Sequence, residues 1–416
     1  MLRDCGLAAV TLTVLIGVGA LPARAQIAVS ANDGKVELVD GAIKYKKDGK
    51  DTISIIDLGA TQPKVLAEIA VPASVVGPPL SVALTPNEEL ALVTSAKKAE
   101  GDPPKEASDD KLTVIDLKKG SMVGSLLAKG KALAGKALGK NETAASAKPE
   151  VIATLQAGKG AAGVSVNKAG TLALVANRDE GTVSIFTISG KTVTAAGKVT
   201  VGDEKSMPSH VVFTPDGKSA LVSLYGPAVN KVAVLSVDGS KVEKTDRALT
   251  AGVAPYAIDI SSKGDVAIVA SMGGGAGDAD VISVIDMKTS PLRVVNSASV
   301  PPSPEGMKIS PDGQYVAVSS QNGSNKAKGS PYFNDAGKLT VFRIRGTDLQ
   351  KVGEAPAGHW CQGVAWSAKS NRIFVQCMVE QEIQVFNFTG LGAKKLERGA
   401  AVKVSGGPAG IRTAER

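Results

Sequence analysis

His210 is the side chain in this chain best suited to acid–base work, because an imidazole titrates near neutral pH and can accept or return a proton there. It stands in the run Pro208-Ser209-His210-Val211-Val212-Phe213-Thr214-Pro215-Asp216-Gly217-Lys218. The chain repeats this run, and the residues equivalent to His210 are Ser81, Gly163, Ala257, Gly306, Gly363 and Gly410. All six are small, so packing alone gives no reason for a ring at position 210. Tyr256, Gln362, His359 and Trp360 begin or immediately precede equivalent segments. They would border the same opening, and an aromatic and amide rim suits a small organic ligand. Only two histidines occur, and the sequence lacks Cys-x-x-Cys-His, paired zinc spacing, a Walker loop and a Gly-x-Ser-x-Gly elbow. Asp278 and Asp280, beside Gly273 to Gly275, lack the ordered ligand series of a calcium loop. No cofactor and no metal are expected.

The element that positions these residues is a β-hairpin. Val211 and Phe213 alternate with other residues, Pro215-Asp216-Gly217-Lys218 turns the chain, and Ala220 to Ser223 runs back. The pattern returns at Pro304 and more loosely at Pro79, Ala161, Pro255 and Cys361, with a final copy at Pro408. From Ala161 onward the intervals are 47, 47, 49, 57 and 47 residues. A third strand also recurs, beginning at Lys111, Gly181, Asn230, Asp280, Lys338 and Glu382. A period near 47 with four strands per unit predicts an all-β fold, a β-propeller. The N-terminal strands Ile27–Ala31, Thr52–Leu58 and Val65–Ala70 have no inner strand before them, whereas the copy at Gly407–Arg412 has no strands after it. Joining the two makes one blade and gives seven in all, the first closed by the C-terminal strand. Closure removes the open sheet edges that invite aggregation.

Composition agrees with many short strands. The 416 residues include 46 Gly and 21 Pro, and only 3% are aromatic, so small and β-branched residues must fill the core. Residues 1–25 read as a signal peptide: Arg3, an apolar run from Gly6 to Leu21, then Ala23-Arg24-Ala25. Cys5 precedes that run, so no lipid anchor is expected. No other segment approaches the roughly 20 apolar residues of a membrane span. The mature chain, 26–416, is therefore expected to be a single periplasmic or secreted propeller domain, and a monomer. Cleavage removes Arg3, Arg24 and Asp4 and lowers the formal charge from +8 to +7. The excess lysines are scattered and few aromatics could stack on bases, which argues against a nucleic-acid partner.

The repeat, the blade count and the export signal resemble the YVTN-type seven-bladed propellers, which overlap with the lactonase-like propellers. The YVTN string survives in altered form at Leu172 to Asn177 and Ala91 to Ala96. The run from Pro208 to Lys218 is similar to a Pro-Arg-His-x-x-Phe-x-Pro-Asp-Gly-Lys stretch of lactonase-like propellers, with Ser209 in place of the arginine. The resemblance implies a hydrolase in which His210 is the base and Glu305 and Arg178, at channel-facing strand ends, supply the acid and the cation. The loss of arginine at 209 points instead to a non-catalytic protein that binds a small molecule or an envelope protein.

Binding is expected on the face that gathers the long loops Asn32–Lys50, Ala96–Asp110, Met272–Asp280 and Gln321–Gly337. The Ala-, Gly- and Lys-rich insertion 118–148 would project from the opposite face. Its Leu126, Leu127, Leu133 and Leu138 could line a basic amphipathic helix, the basis of a third reading as an envelope scaffold. Cys361 and Cys377 each lie eight residues from Lys369, the centre of a hairpin turn. Residues equidistant from such a turn face each other, and export supplies oxidising conditions, so a disulfide is expected.

Overall fold

The computed structural model describes residues 26–74, 79–117, 148–389 and 396–415. Residues 1–25, expected to be a signal peptide, and all but the last residue of the 118–148 insertion lie outside the described residues. Seven sheets of four main strands form the ring. Numbered in chain order, their inner strands are Gly407–Thr413 for blade 1, then Val82–Leu84, Ala161–Val166, Pro208–Phe213, Pro255–Ile260, Pro304–Ile309 and Cys361–Trp366. Blade 1 is completed as expected: Gly407–Thr413 pairs antiparallel with Ile27–Asp33, which continues into Thr52–Asp57 and Lys64–Ala70. Val29 faces Arg412 and Ser30 faces Ile411 across that seam.

The core lies between blades rather than within any one of them. Seven apolar clusters fill the ring, for example Leu174, Val183 and Ile185 of blade 3 against Val211, Val222 and Leu235 of blade 4. At the seam Ala28, Ile56 and Ile411 of blade 1 pack on Phe374, Ile383 and Val385 of blade 7. Small residues on the inner strands allow backbones to meet around the channel. A Cβ added to Gly306 would lie 1.8 Å from the Gln362 carbonyl oxygen.

Two long loops turn out to be strands. Residues 96–110 mostly extend a hairpin, Leu90–Glu100 against Lys105–Asp116, past a bulge between Ser95 and Lys97. The loop 32–50 holds a separate hairpin, Val36–Val39 against Ala42–Tyr45. The first projects beyond the ring with most of its residues partly or fully solvated, and the second lays only Val36, Leu38 and Tyr45 on blade 7 and leaves its other residues in water, so neither carries the sustained period-2 apolar pattern of a blade strand. The inner strands of blades 3 to 7 also begin at or just before the first residue expected of them. Apart from a 3-10 turn at Glu204–Ser206, the described residues contain no helix. None is long and apolar enough to cross a membrane.

One device recurs at the entrance to the inner strands. Gly160, Met207, Ala254, Ser303 and Trp360 all have positive φ. Each uses its carbonyl to accept the N–H of the residue that follows the second strand: Arg178 at 2.9 Å, Tyr225 at 3.1 Å, Met272 at 2.9 Å, Gln321 at 2.9 Å and Met378 at 3.3 Å. Four of the five are not glycine, so the left-handed turn is held against its intrinsic cost by these bonds and by packing. The clamp fixes where Arg178, Tyr225 and Gln321 enter the mouth of the channel.

Candidate functional site

The channel has two chemically different ends. At the loop-rich mouth, Arg178 and Tyr225 come from clamp positions, and Tyr256 and Glu305 are the second residues of neighbouring inner strands. Arg178 Nη2 donates to the Tyr256 hydroxyl at 2.9 Å. The guanidinium carbon lies 5.3 Å from the Tyr256 ring centre and 6.0 Å from that of Tyr225, within cation–π range. The two tyrosines meet edge to face at 5.1 Å. Arg178 is 6% exposed, its Nε has no hydrogen-bond partner, and it forms no salt bridge with a carboxylate. Glu305 is buried and accepts a hydrogen bond from Gln321. Burial pushes its pKa up to about 8, against the opposing pull of Gln321 and Arg178. At neutral pH Glu305 is therefore mainly a neutral acid, so the guanidinium has no ionised hydrogen-bond partner among the described residues and feels a carboxylate charge only from the adjacent Asp179. Burial likewise pushes the Tyr256 hydroxyl up, with Arg178 opposing.

Of the expected rim, Tyr256 joins Arg178 and Glu305, and Gln362 is buried in the inner strand of blade 7. Trp360 is buried with Met378 and Ala409 beneath Val36, Leu38 and Tyr45 of the added hairpin. That hairpin reaches over this face. Tyr45 donates to Glu106 at 2.9 Å, and Asp40 accepts the Lys328 N–H at 2.8 Å. His359 stays at the outer rim, where its Nδ1 lies 2.7 Å from Glu380 Oε1 and its N–H bonds both oxygens of that carboxylate at 3.0 Å. Cys361 and Cys377 are buried opposite each other and form the disulfide, their Cα atoms 3.9 Å apart.

His210 belongs to a different group. The third residue of its inner strand, it is buried, and its Nδ1 accepts the Ile258 N–H at 3.3 Å. Burial, then the charges of Arg412 and Lys308, hold its pKa well below the ordinary histidine range. It is thus neutral with the proton on Nε2, and none of its hydrogen bonds or charge interactions involves Arg178 or Glu305. Ser209, where the resembled pattern has arginine, is buried and donates to the Met207 carbonyl at 3.1 Å. The three residues of the lactonase reading are therefore divided between two clusters.

Beyond His210 the channel holds Asp259, Lys308, Arg412 and Glu415. Lys308 Nζ lies 2.9 Å from Asp259 and also bonds Glu415. Arg412 is buried and donates to the Ile411 carbonyl at 3.0 Å and the Val364 carbonyl at 3.4 Å. These residues were missed in the sequence, although a signal existed. Asp259, Lys308 and Arg412 each lie two places beyond the position aligned with His210, and the period of a strand sends both positions into the channel. The channel then opens into a cavity of about 270 Å³ at the turn end, lined by Trp366, Ile309, Pro311, Lys308, Asp259 and Glu415 among others. Asp280 accepts the Ser303 N–H at 2.7 Å, and no group of three or more His, Cys, Asp or Glu side chains that could hold a metal ion occurs among the described residues.

No family model matches the chain, and no curated protein matches it. Its fold, however, is shared with solved lactonase-like propellers. A putative 6-phosphogluconolactonase from Bacteroides fragilis superposes with a TM-score of 0.67 at 13% identity, over 95% of this chain and all of that one (100%). One from Bacteroides uniformis gives 0.66 at 14% identity, over 94% and 100%. The periplasmic gluconolactonase of Pseudomonas aeruginosa gives 0.63 at 15% identity, over 93% and 99%. The class is thus a seven-bladed propeller of lactonase-like architecture. At these identities the likeness concerns the fold alone, and function must be argued from the site.

Proposed function

We propose that this is an exported propeller that binds a small organic anion at its loop-rich mouth without converting it. The observation that carries the reading is Arg178, a buried guanidinium with an unbonded Nε, no ion pair, and a carboxyl neighbour, Glu305, that is neutral at pH 7. An incoming carboxylate would complete its hydrogen bonds and its charge, a pairing to which the planar guanidinium is suited. Tyr225 and Tyr256 would flank the carbon skeleton. The buried disulfide and the periplasmic gluconolactonase among its structural neighbours support export.

A hydrolase built on His210 is favoured by one observation, the raised pKa of Glu305, which suits an acid near neutral pH. The division of His210 from Arg178 and Glu305 speaks against it. Calorimetry with gluconate and turnover assays with glucono-δ-lactone separate the two. Binding is expected to gluconate, with loss of at least ten-fold in affinity for Arg178→Gln and no lactone turnover. Turnover by the wild type that disappears in His210→Ala would overturn the binding reading and establish the hydrolase.

A further inference from the structure

The cavity at the turn end of the channel already contains a carboxylate supplied by the chain itself. Lys308 Nζ is held between Asp259 at 2.9 Å and Glu415. These two acids differ: the Asp259 side chain is 5% exposed and also accepts the Ile309 N–H at 2.8 Å, whereas that of Glu415 is 56% exposed and, among the described residues, is ion-paired with Lys308 alone, with the Arg412 charge acting on it from farther away. Asp259 is built in, while Glu415 follows the inner strand of blade 1 and is held from one side. Beside the ammonium group lies about 270 Å³ of space walled by Trp366, Ile309, Pro311 and Ala414, with Glu88 at its edge. Trp366 is fixed there by its Nε1–H bond to the Lys308 carbonyl at 2.9 Å. The site therefore combines a preorganised cation, an aromatic and aliphatic wall, and a half-exposed carboxylate in the anion position.

We propose that this cavity is a second ligand site, for a small aromatic or aliphatic carboxylic acid, in which Glu415 is an internal competitor displaced when the ligand's carboxylate takes its place on Lys308. Because one carboxylate replaces another, the charge in the channel does not change on exchange, and Asp259, Glu88 and Arg412 need not adjust. The ligand's advantage is the apolar surface it buries against Pro311, Ala368 and Ala414, the part of the apolar lining that is still open to water, since Trp366 and Ile309 are already buried. The cost is releasing Glu415 to water, small for a side chain already half solvated. Affinity at this end is then set by a segment of the chain, and any partner that drew Glu415 away would open the site.

The test uses the full chain carrying Arg178→Gln, so that the mouth cannot contribute, with benzoate and its neutral analogue benzamide as probes in calorimetry. Glu415→Gln in that background is expected to bind benzoate at least ten-fold more tightly, with benzamide affinity unchanged. The paired variant Lys308→Met with Asp259→Asn, which leaves no unpaired buried charge between the two, is expected to keep its melting transition and lose benzoate binding. Unchanged or weaker benzoate affinity in Glu415→Gln, equal binding of the two probes, or benzoate binding that survives the paired variant would each overturn the proposal. Absence of benzoate binding by Glu415→Gln at millimolar concentration overturns it as well. None of these outcomes bears on gluconate binding at the mouth.

Discussion

At the turn end of the channel Lys308 sits 2.9 Å from Asp259 and is bonded to Glu415, so its buried charge is matched. At the mouth Arg178 has a phenol as its side-chain partner, at 2.9 Å, and a carboxyl neighbour kept neutral by burial. Both cations are carried by the same ring of strands and are similarly shielded from water. What differs is the supply of anions. The inner strands of blades 5 and 1 deliver Asp259 and Glu415 to one end, whereas the aromatic and amide side chains Tyr256, Tyr225 and Gln321 occupy the other. Burying a charge without an ionised partner is costly, and proteins retain such groups mainly where a ligand or reaction uses them. The contrast is the basis for proposing an anion site at the mouth, where the buried cation has no ionised hydrogen-bond partner among the described residues.

The most drastic way to break the comparison is to remove the strand that serves both ends. Deleting residues 407–416 takes away Arg412 and Glu415 and leaves Ile27–Asp33 as an open edge, so aggregation or loss of a cooperative melt is expected. A truncated protein melting like the full chain would show that the ring does not depend on this seam. A sharper test compares single cations. Lys308→Met strands Asp259 in the channel and should cost about 3–5 kcal/mol of unfolding free energy, whereas Arg178→Met, which breaks no ion pair, should cost far less. Equal losses in urea titrations would abolish the distinction between the ends.

The disulfide tests whether the mouth is held rigid. Replacing Cys361 and Cys377 by serine opens a loop with a sequence separation of 16 and should lower stability by about 3 kcal/mol. Alkylation of the unreduced, denatured mature protein, residues 26–416, should add no label, and two labels would mean free thiols.

The smallest effect concerns Glu305, whose pKa in the folded protein is about 8, above its ordinary 4.5. A carboxyl raised in this way stabilises the fold below the unfolded pKa, and the contribution is lost as pH rises through the folded one. The wild type should therefore lose stability as pH rises between about 4.5 and 8. Glu305→Gln should flatten that slope and melt higher than the wild type at pH 8.5. Parallel stability profiles for the two proteins would remove the argument that Glu305 is neutral at pH 7.

Much of the architecture was legible because it is repetitive. Period-2 runs around Pro-Asp-Gly turns at intervals near 47 residues specify short antiparallel strands, and repetition specifies the ring. The orphan strand at Gly407 announced the closure, and equal spacing from Lys369 announced the Cys361–Cys377 pair. The hairpins at 36–45 and 97–108 were not legible, since strands left mostly in water carry no sustained apolar alternation. At the channel, His210 was visible as a residue that packing does not explain, Tyr256 as one at the start of an inner strand, and Arg178 and Glu305 through the lactonase-like resemblance.

Which of them meet is decided only by the tertiary structure. Strand order sets the blade to which a residue belongs, but a channel mixes blades that are distant in sequence, and a displacement of one residue along an inner strand, from the second place to the third, moves a side chain from the mouth group to the charged group beyond it. That step separates His210 from Glu305 and places it near Lys308 and Arg412. The sequence by itself determined a closed seven-bladed ring with functional side chains along its inner strands. The partition of those side chains into a cation without an ionised hydrogen-bond partner at one end and an ion-paired one at the other comes from three-dimensional proximity, because electrostatic partnership depends on distance and burial and not on separation along the chain.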